Sequence, residues 1–418
     1  MSVIATATNW EDSIREDETA RPDGCSSSVV KRSAARALEA AVKALLTIQN
    51  EDGHWRGELE GDSITNSEYI LMKWILFQED DARLAKILNY LRRLQRPDGG
   101  WGQYPGSPVD VSATVKAYVC LLLAGDSPNA EYMKRAREAV WSNGGAEACN
   151  SFTNFYFACL GLIDWDACPA IPPEIVFIPR GFDFNMDHLS AWSRTMILPL
   201  AICSALRPAR RLGDGISIDD LFLDRKYLAT LSTPFDRNPA TWKNFFLLAD
   251  RAMKVVQSAG VNPVRQRAIE AAERWLLERA DGAHTEGLGA IFPPMVYLQV
   301  ALHALGYARS HPARVQAERD LDALMIEEEI DGEATIRIEP CFSPVWDTGI
   351  ALYALTDCGF GVDQDCGERS VARACAWLRS KENRLAGDWA RSVSAETGGW
   401  YFEYLNEWYP DVDDTAMV

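Results

Sequence analysis

Two helix endings in this 418-residue chain repeat one another. Gln49-Asn50-Glu51-Asp52-Gly53-His54-Trp55 and Gln95-Arg96-Pro97-Asp98-Gly99-Gly100-Trp101 both read Q-x-x-x-G-x-W, at a period of about 46 residues, in the range that marks stacked helical units. An apolar stripe at three-to-four spacing precedes each: Val30, Ala34, Leu38, Val42, Leu45 and Ile48, then Leu84, Ile87, Leu88, Leu91 and Leu94. The glycine allows the left-handed backbone that closes a helix. The Gln amide can bond the open backbone ends of a neighbouring helix while Trp packs on the junction. A degenerate copy runs from Trp377 to Trp389, with Glu382 in place of Gln and Gly387-Asp388-Trp389 kept. Gln49, Gly53, Trp55, Gln95, Gly99, Trp101, Gly387 and Trp389 are therefore read as scaffold, not as chemistry.

The rest of the chain follows the same habit. Apolar periodicity predicts helices over 110–123, 132–141, from Ser151, over 192–206, 270–279, 295–307, 319–328 and 343–355. Proline punctuates 169–179, and strand-like alternation is confined to 334–338. Residues 1–27 read as a loose polar arm, without the apolar stretch of a signal peptide. No apolar run reaches the roughly 18–20 residues of a membrane-spanning helix. The stretch 221–261 mixes Trp242, Phe245, Phe246, Leu248 and Val255 with Lys243, Arg251 and Lys254. On its residues alone it suits a core-facing helix better than one lying in a membrane interface. The expectation is an all-α fold of paired helices closed into toroids.

A formal charge of −18 disfavours nucleic acid and charge-driven docking on anionic lipid. Ten scattered cysteines fit a reducing compartment, and five histidines show no metal-ligand spacing. The last residues carry the chemistry. Asp411, Asp413 and Asp414 lie within four positions, downstream of Trp400-Tyr401-Phe402 and Trp408-Tyr409. Carboxylates so close raise one another's pKa and tend to keep a proton, and aromatic faces attract cations. The plain alternative is a helix start with Asp411 as its cap.

With these stretches in hand the chain resembles the bacterial squalene–hopene cyclases, from about Ser28 to the last residue. The resemblance is carried by the repeats, by His54-Trp55-x-Gly57-Glu58-Leu59-Glu60-Gly61-Asp62, Pro172-Pro173-Glu174-Ile175, Gly289-Ala290-Ile291-Phe292-Pro293 and Ser343-Pro344-Val345-Trp346-Asp347-Thr348, and by Tyr409-Pro410-Asp411-Val412-Asp413-Asp414-Thr415-Ala416. It implies α/α barrels of the terpenoid cyclase type, with 28–318 as the first and 319–418 as the opening part of a second, incomplete here. The chain then reads as an N-terminal fragment ending at the D-x-D-D acid motif, expected to be inactive alone. The implied activity is proton-initiated cyclisation of squalene to hopene, with hopanol as side product. Asp413 would be the acid, oriented by Asp411 and Asp414. Phe402 and Tyr409 would face the early cations, with Trp346 and Trp192 as further wall residues, and Phe152 and Phe155 would line the far part of the cavity.

No cofactor is implied, because no pyrophosphate leaves. The partners implied are squalene and a membrane surface, on the cytoplasmic face of the bacterial inner membrane. That tilts 221–261 toward an interfacial element and leaves room for a homodimer. Lys116 and Phe292 stand where some relatives carry Glu and Gln, near the region of termination. Other readings are a cyclase of another polyprene, such as an onoceroid or diterpene precursor, and a non-catalytic α/α scaffold. Asp219-Asp220-x-x-x-Asp224 lacks the second metal motif of ionising terpene synthases, and Glu58, Glu60 and Asp62 lack the aromatic cleft of a glycosidase.

Overall fold

The computed structural model describes residues 27–418 apart from 183–184, 214, 259–261 and 360–366. The predicted arm, save Ser27, lies outside the described residues. Fourteen α-helices are described: α1 Ser27–Thr47, α2 Asp62–Ile75, α3 Arg83–Arg93, α4 Val111–Leu123, α5 Glu131–Ser142, α6 Ser151–Cys159, α7 Ala191–Leu206, α8 Trp242–Ser258, α9 Arg265–Glu278, α10 Phe292–Ala304, α11 Pro312–Ala323, α12 Pro344–Asp357, α13 Gly367–Ser380 and α14 Val412–Met417. One antiparallel hairpin joins β1 Met325–Ile330 to β2 Glu333–Ile338. The predicted strand at 334–338 is present. The predicted helix over 319–328 is present only in its first half, as the end of α11, which stops at Ala323; 325–330 pair with 333–338 instead.

The helices sort into an inner and an outer layer. Apolar composition on every side buries α4 and α10 almost completely, and α2, α6 and α7 share the interior with them. Helices α3, α5, α9 and α11 alternate apolar with charged residues and bury one face each. Inner helices backed by outer ones make the α/α toroid. One large core cluster runs through these elements and the hairpin.

The repeats show how the layers are pinned. Gln95 Nε2 donates to Gly99 O (2.8 Å) and across to Tyr132 O of α5 (2.9 Å). Gln49 Nε2 donates to Gly53 O (2.7 Å) and across to Ser370 O of α13 (2.9 Å). Trp101 Nε1 and Trp55 Nε1 reach back to Leu91 O and Leu45 O at 2.9 and 2.8 Å. Gly99 and Gly53 have positive φ, and a Cβ on either would lie 2.5 or 2.6 Å from the backbone carbon of Arg135 or Arg373. Only glycine lets the facing helix approach so closely. Helix α1 thus stands to α13 as α3 stands to α5, and its Val42, Leu45 and Leu46 pack on Trp55, Leu355 and Ala374.

The degenerate copy closes elsewhere than the spacing suggests. Trp400, not Trp389, sends its indole N–H to Leu378 O (2.7 Å), behind Gly399 at positive φ. The Trp389 indole nitrogen has no partner.

Helix α8 overturns the core-facing reading of its sequence. The face it buries is narrow and mostly polar, Asn244, Leu247 and Asp250. Phe245, Leu248 and Val255 are 55%, 58% and 67% exposed. Among the described residues no helix is long and apolar enough to cross a membrane.

Candidate functional site

Four local connections assemble the acid segment. Asp411 caps α14, its carboxylate accepting from the backbone N–H of Asp413 (2.7 Å) and Asp414 (3.3 Å), so the helix-start reading and the acid-cluster reading hold together. Asp411 N–H donates to Trp400 O (2.7 Å), and Trp400 N–H to Thr415 Oγ1 (2.9 Å), which straps α14 to the Gly-Gly-Trp turn. On its other side α14 lies on α12. A Cβ at Gly349 would sit 2.8 Å from Met417 Cγ, so the small residue sets that approach. Helix α12 is itself fixed by Asp347, whose carboxylate accepts from Gly57 N–H and Ser343 Oγ, both 2.8 Å away.

These connections bring Asp411, Asp413 and Asp414 into the wall of a cavity of about 530 Å³, together with Trp192, Trp346, Phe402 and Tyr409. The Trp346 and Phe402 rings face one another at 6.4 Å. Phe152 and Phe155 are not in this wall. They line a second, mainly apolar cavity of about 260 Å³ with Met196, Ile197 and Leu200. Helix α7 connects the two, with Ala191 and Trp192 in the first wall and Ser193 to Ser204 in the second.

The three carboxyls are not equivalent. Asp413 is exposed toward the cavity, whereas Asp414 is only 2% exposed and its Oδ1 has no hydrogen-bond partner. Burial, and then the charges of Asp411 and Asp413, push the Asp414 carboxyl up to about 7. Sequence reasoning expected a retained proton in the cluster. The carboxyl that is raised is that of Asp414, whose side chain is buried one residue after the one expected to donate.

A fourth carboxyl in the same wall escaped that reasoning. Glu403 is buried, and among the described residues its only side-chain partner is Asn406, whose Nδ2 donates to it at 3.1 Å. Burial, with Glu286 and Asp414 nearby, raises it well above the ordinary carboxyl range. Glu286 is itself pushed up to about 7, mainly by burial. The signal for Glu403 was its place beside Phe402, but nothing local told it apart from a solvent-facing Glu.

Deep behind Phe155, Lys116 Nζ pairs with Glu68 Oε1 (2.6 Å), both nearly inaccessible, and Tyr156 donates to Glu68 Oε2 (3.0 Å). The Phe155 ring meets those of Tyr156 and Tyr297 edge-on, at 5.4 and 5.3 Å. Phe292 is fully buried at the start of α10. The Asp219, Asp220 and Asp224 carboxylates are engaged by Arg225, Arg137 and Lys226, as surface pairs are.

Comparison with known proteins agrees along the chain. Residues 38–330 match the family model described as the squalene-hopene cyclase N-terminal domain, and residues 342–418 the corresponding C-terminal domain. The squalene–hopene cyclase of Zymomonas mobilis subsp. mobilis is 38% identical over 386 residues, which is 91% of this chain and 57% of that protein. That of Bradyrhizobium diazoefficiens is 37% identical over 387 residues, again 91% and 57%. That of Alicyclobacillus acidocaldarius subsp. acidocaldarius is 34% identical over 389 residues, 92% and 59%. The chain thus spans less than three fifths of the length of these relatives.

Proposed function

The chain belongs to the squalene–hopene cyclase family, and on that premise we propose that its acid cavity starts the cyclisation of squalene to hopene. A terminal trisubstituted alkene is a far weaker base than any side chain, so the donor must be a carboxylic acid unstable as such. Asp413, exposed to the cavity, hands its proton to the CH carbon of the terminal double bond, so that the broken π bond leaves the positive charge on the carbon bearing the two methyl groups. Asp411 holds the turn, and the protonated Asp414 behind it limits the charge that builds up on the cluster. The tertiary cation is consumed by attack of the next double bond, and each ring closure moves the charge along the chain. Loss of a proton from the last cation gives hopene, and capture of water gives hopanol.

The observation that carries this reading is the shared wall: three clustered carboxyls, one of them buried and pushed up to about 7, beside Trp192, Trp346, Phe402 and Tyr409. Aromatic faces stabilise a cation by about 0.5–2 kcal/mol per ring without offering a nucleophile that would quench it. The second cavity along α7, with Phe152 and Phe155, takes the rest of the hydrocarbon. Expressing the gene, with any coding sequence beyond Val418, in a hopanoid-free host tests this directly. Hopene in the lipid extract is expected, and squalene left untouched would refute it.

Squalene is carried by membranes, and α8 supplies a surface for reaching them. Its outward Phe245, Leu248 and Val255 would enter the acyl boundary. Lys243 and Lys254 are already paired with Asp236 and Asp250, so burial of apolar area rather than charge drives the docking. Co-flotation with neutral phosphatidylcholine vesicles is expected, and failure to float would remove this element of the proposal.

A further inference from the structure

Behind the acid cavity lies a buried ionic cluster that reaches its wall at one point. Asp388, at the start of a short 3₁₀ turn, is 2% exposed. Arg279 grips it with two bonds, Nε to Oδ2 at 3.0 Å and Nη2 to Oδ1 at 2.6 Å. The guanidinium of Arg279 is held in turn between the rings of Trp275 (4.3 Å) and Trp408 (4.5 Å), and it also donates to Trp275 O and Glu278. A planar fork clamped on both faces leaves its carboxylate little freedom. The remaining bond to Asp388 comes from Tyr409, whose hydroxyl donates to Oδ2 at 3.1 Å.

Tyr409 lies between the acid cavity, which it lines, and the Arg194–Asp388 pair behind it. One side belongs to the acid cavity. Over its ring stands the guanidinium of Arg194, 5.7 Å from the centroid and 3.7 Å from Asp388, and Arg194 lines a separate polar cavity with Asp388 and Arg391. Rotation about the Tyr409 side chain would present the cavity with a ring edge, which repels a cation, instead of a face, which attracts one.

We propose that Asp388, clamped by Arg279, is a positioning residue: through the Tyr409 hydroxyl it fixes that ring with its free face toward the cation formed in the acid cavity. This deepens the proposed function and rests on it. Burial alone would raise the Asp388 carboxyl, but the bonds and charge of Arg279, with Arg194, hold it below the ordinary range. The acceptor is therefore anionic at neutral pH, and a phenol donating to an anion is held more tightly and has a more electron-rich ring.

The test needs no turnover. Two probes of equal shape, dodecyltrimethylammonium and 2,2-dimethyltetradecane, are titrated into the chain from cyclodextrin and followed by the fluorescence of cavity tryptophans. The wild type is expected to prefer the ammonium. Asp388→Asn and Tyr409→Phe should each cut that preference by about three- to thirty-fold, the range spanned by one ring's cation–π attraction, while hydrocarbon affinity stays within about two-fold. Should Asp388→Asn leave Arg279 unpaired and the fold damaged, Tyr409→Phe, which keeps the clamp intact, decides. An unchanged preference in Tyr409→Phe, or equal weakening of both probes, overturns the positioning role alone. A wild type without preference overturns the cation-stabilising wall, and the positioning role with it.

Discussion

Replacing Asp414 by Asn tests the retained proton without any substrate. The carboxyl sits near 3.8 in the unfolded chain and is pushed up to about 7 in the fold. Below pH 3.8 both states are protonated, and the group does not oppose folding. As the pH rises from about 4 to 7 the unfolded chain releases the proton while the folded one retains it, so stability is lost across that window and the loss is complete above about 7. Three units at 1.36 kcal/mol each give about 4 kcal/mol. Part of the shift comes from Asp411 and Asp413, which salt screens, so about 2–4 kcal/mol is expected at 0.15 M salt. An amide cannot ionise, and because Asp414 Oδ1 has no partner it forfeits no bond there. The stability of Asp414→Asn relative to wild type should therefore rise by about 2–3 kcal/mol between pH 5 and pH 8. Urea unfolding followed by tryptophan fluorescence at four pH values measures it. Taking the difference between the two proteins cancels the contribution of Glu286, and that of Glu403 apart from the part that Asp414 itself causes. A gap that stays flat over this range would show that Asp414 is solvated and ionised, and the physical basis of the acid cluster would be lost.

Asp413→Asn in a cyclising protein should lower hopene formation by at least about 10²-fold, with unfolding unchanged because the side chain is exposed. Product retained at wild-type level, measured by gas chromatography, would move the donor elsewhere. Lys116→Met strands the Glu68 carboxylate and should cost about 3–5 kcal/mol, whereas Lys116→Met with Glu68→Leu should recover most of it. Trp400→Phe loses the bond to Leu378 O and should destabilise by about 1 kcal/mol beyond Trp389→Phe, whose indole nitrogen is unpartnered. Equal midpoints would return the third repeat to Trp389. Serine at Phe245, Leu248 and Val255 together should abolish vesicle flotation and leave stability within about 0.5 kcal/mol per site.

What the sequence showed and what it hid divide along one physical line. Gln95, Gly99 and Trp101 were legible because their bonds close within ten residues and one neighbouring helix. Helix α2 went unread because its inner face is polar: Thr65 and Asn66 bond the hairpin at Ile338, and Glu68 meets Lys116, partners far away in the chain. The apolar face of α8 was plain, but only the fold decides that it faces outward. The acid cavity follows the same rule. Glu68, Glu339 and Asp388 are buried carboxylates matched to Lys116, Arg56 and Arg279; Arg279 holds Asp388 below the ordinary range, whereas burial outweighs Arg56 and raises Glu339. Among the described residues neither Glu403 nor Asp414 makes an ion pair, and both stand in the wall of the cavity that holds Asp413. As letters, all five are alike. Pairing, which arises only when distant helices meet, separates the three that have a cationic partner from the two that do not, and both of those line the acid cavity.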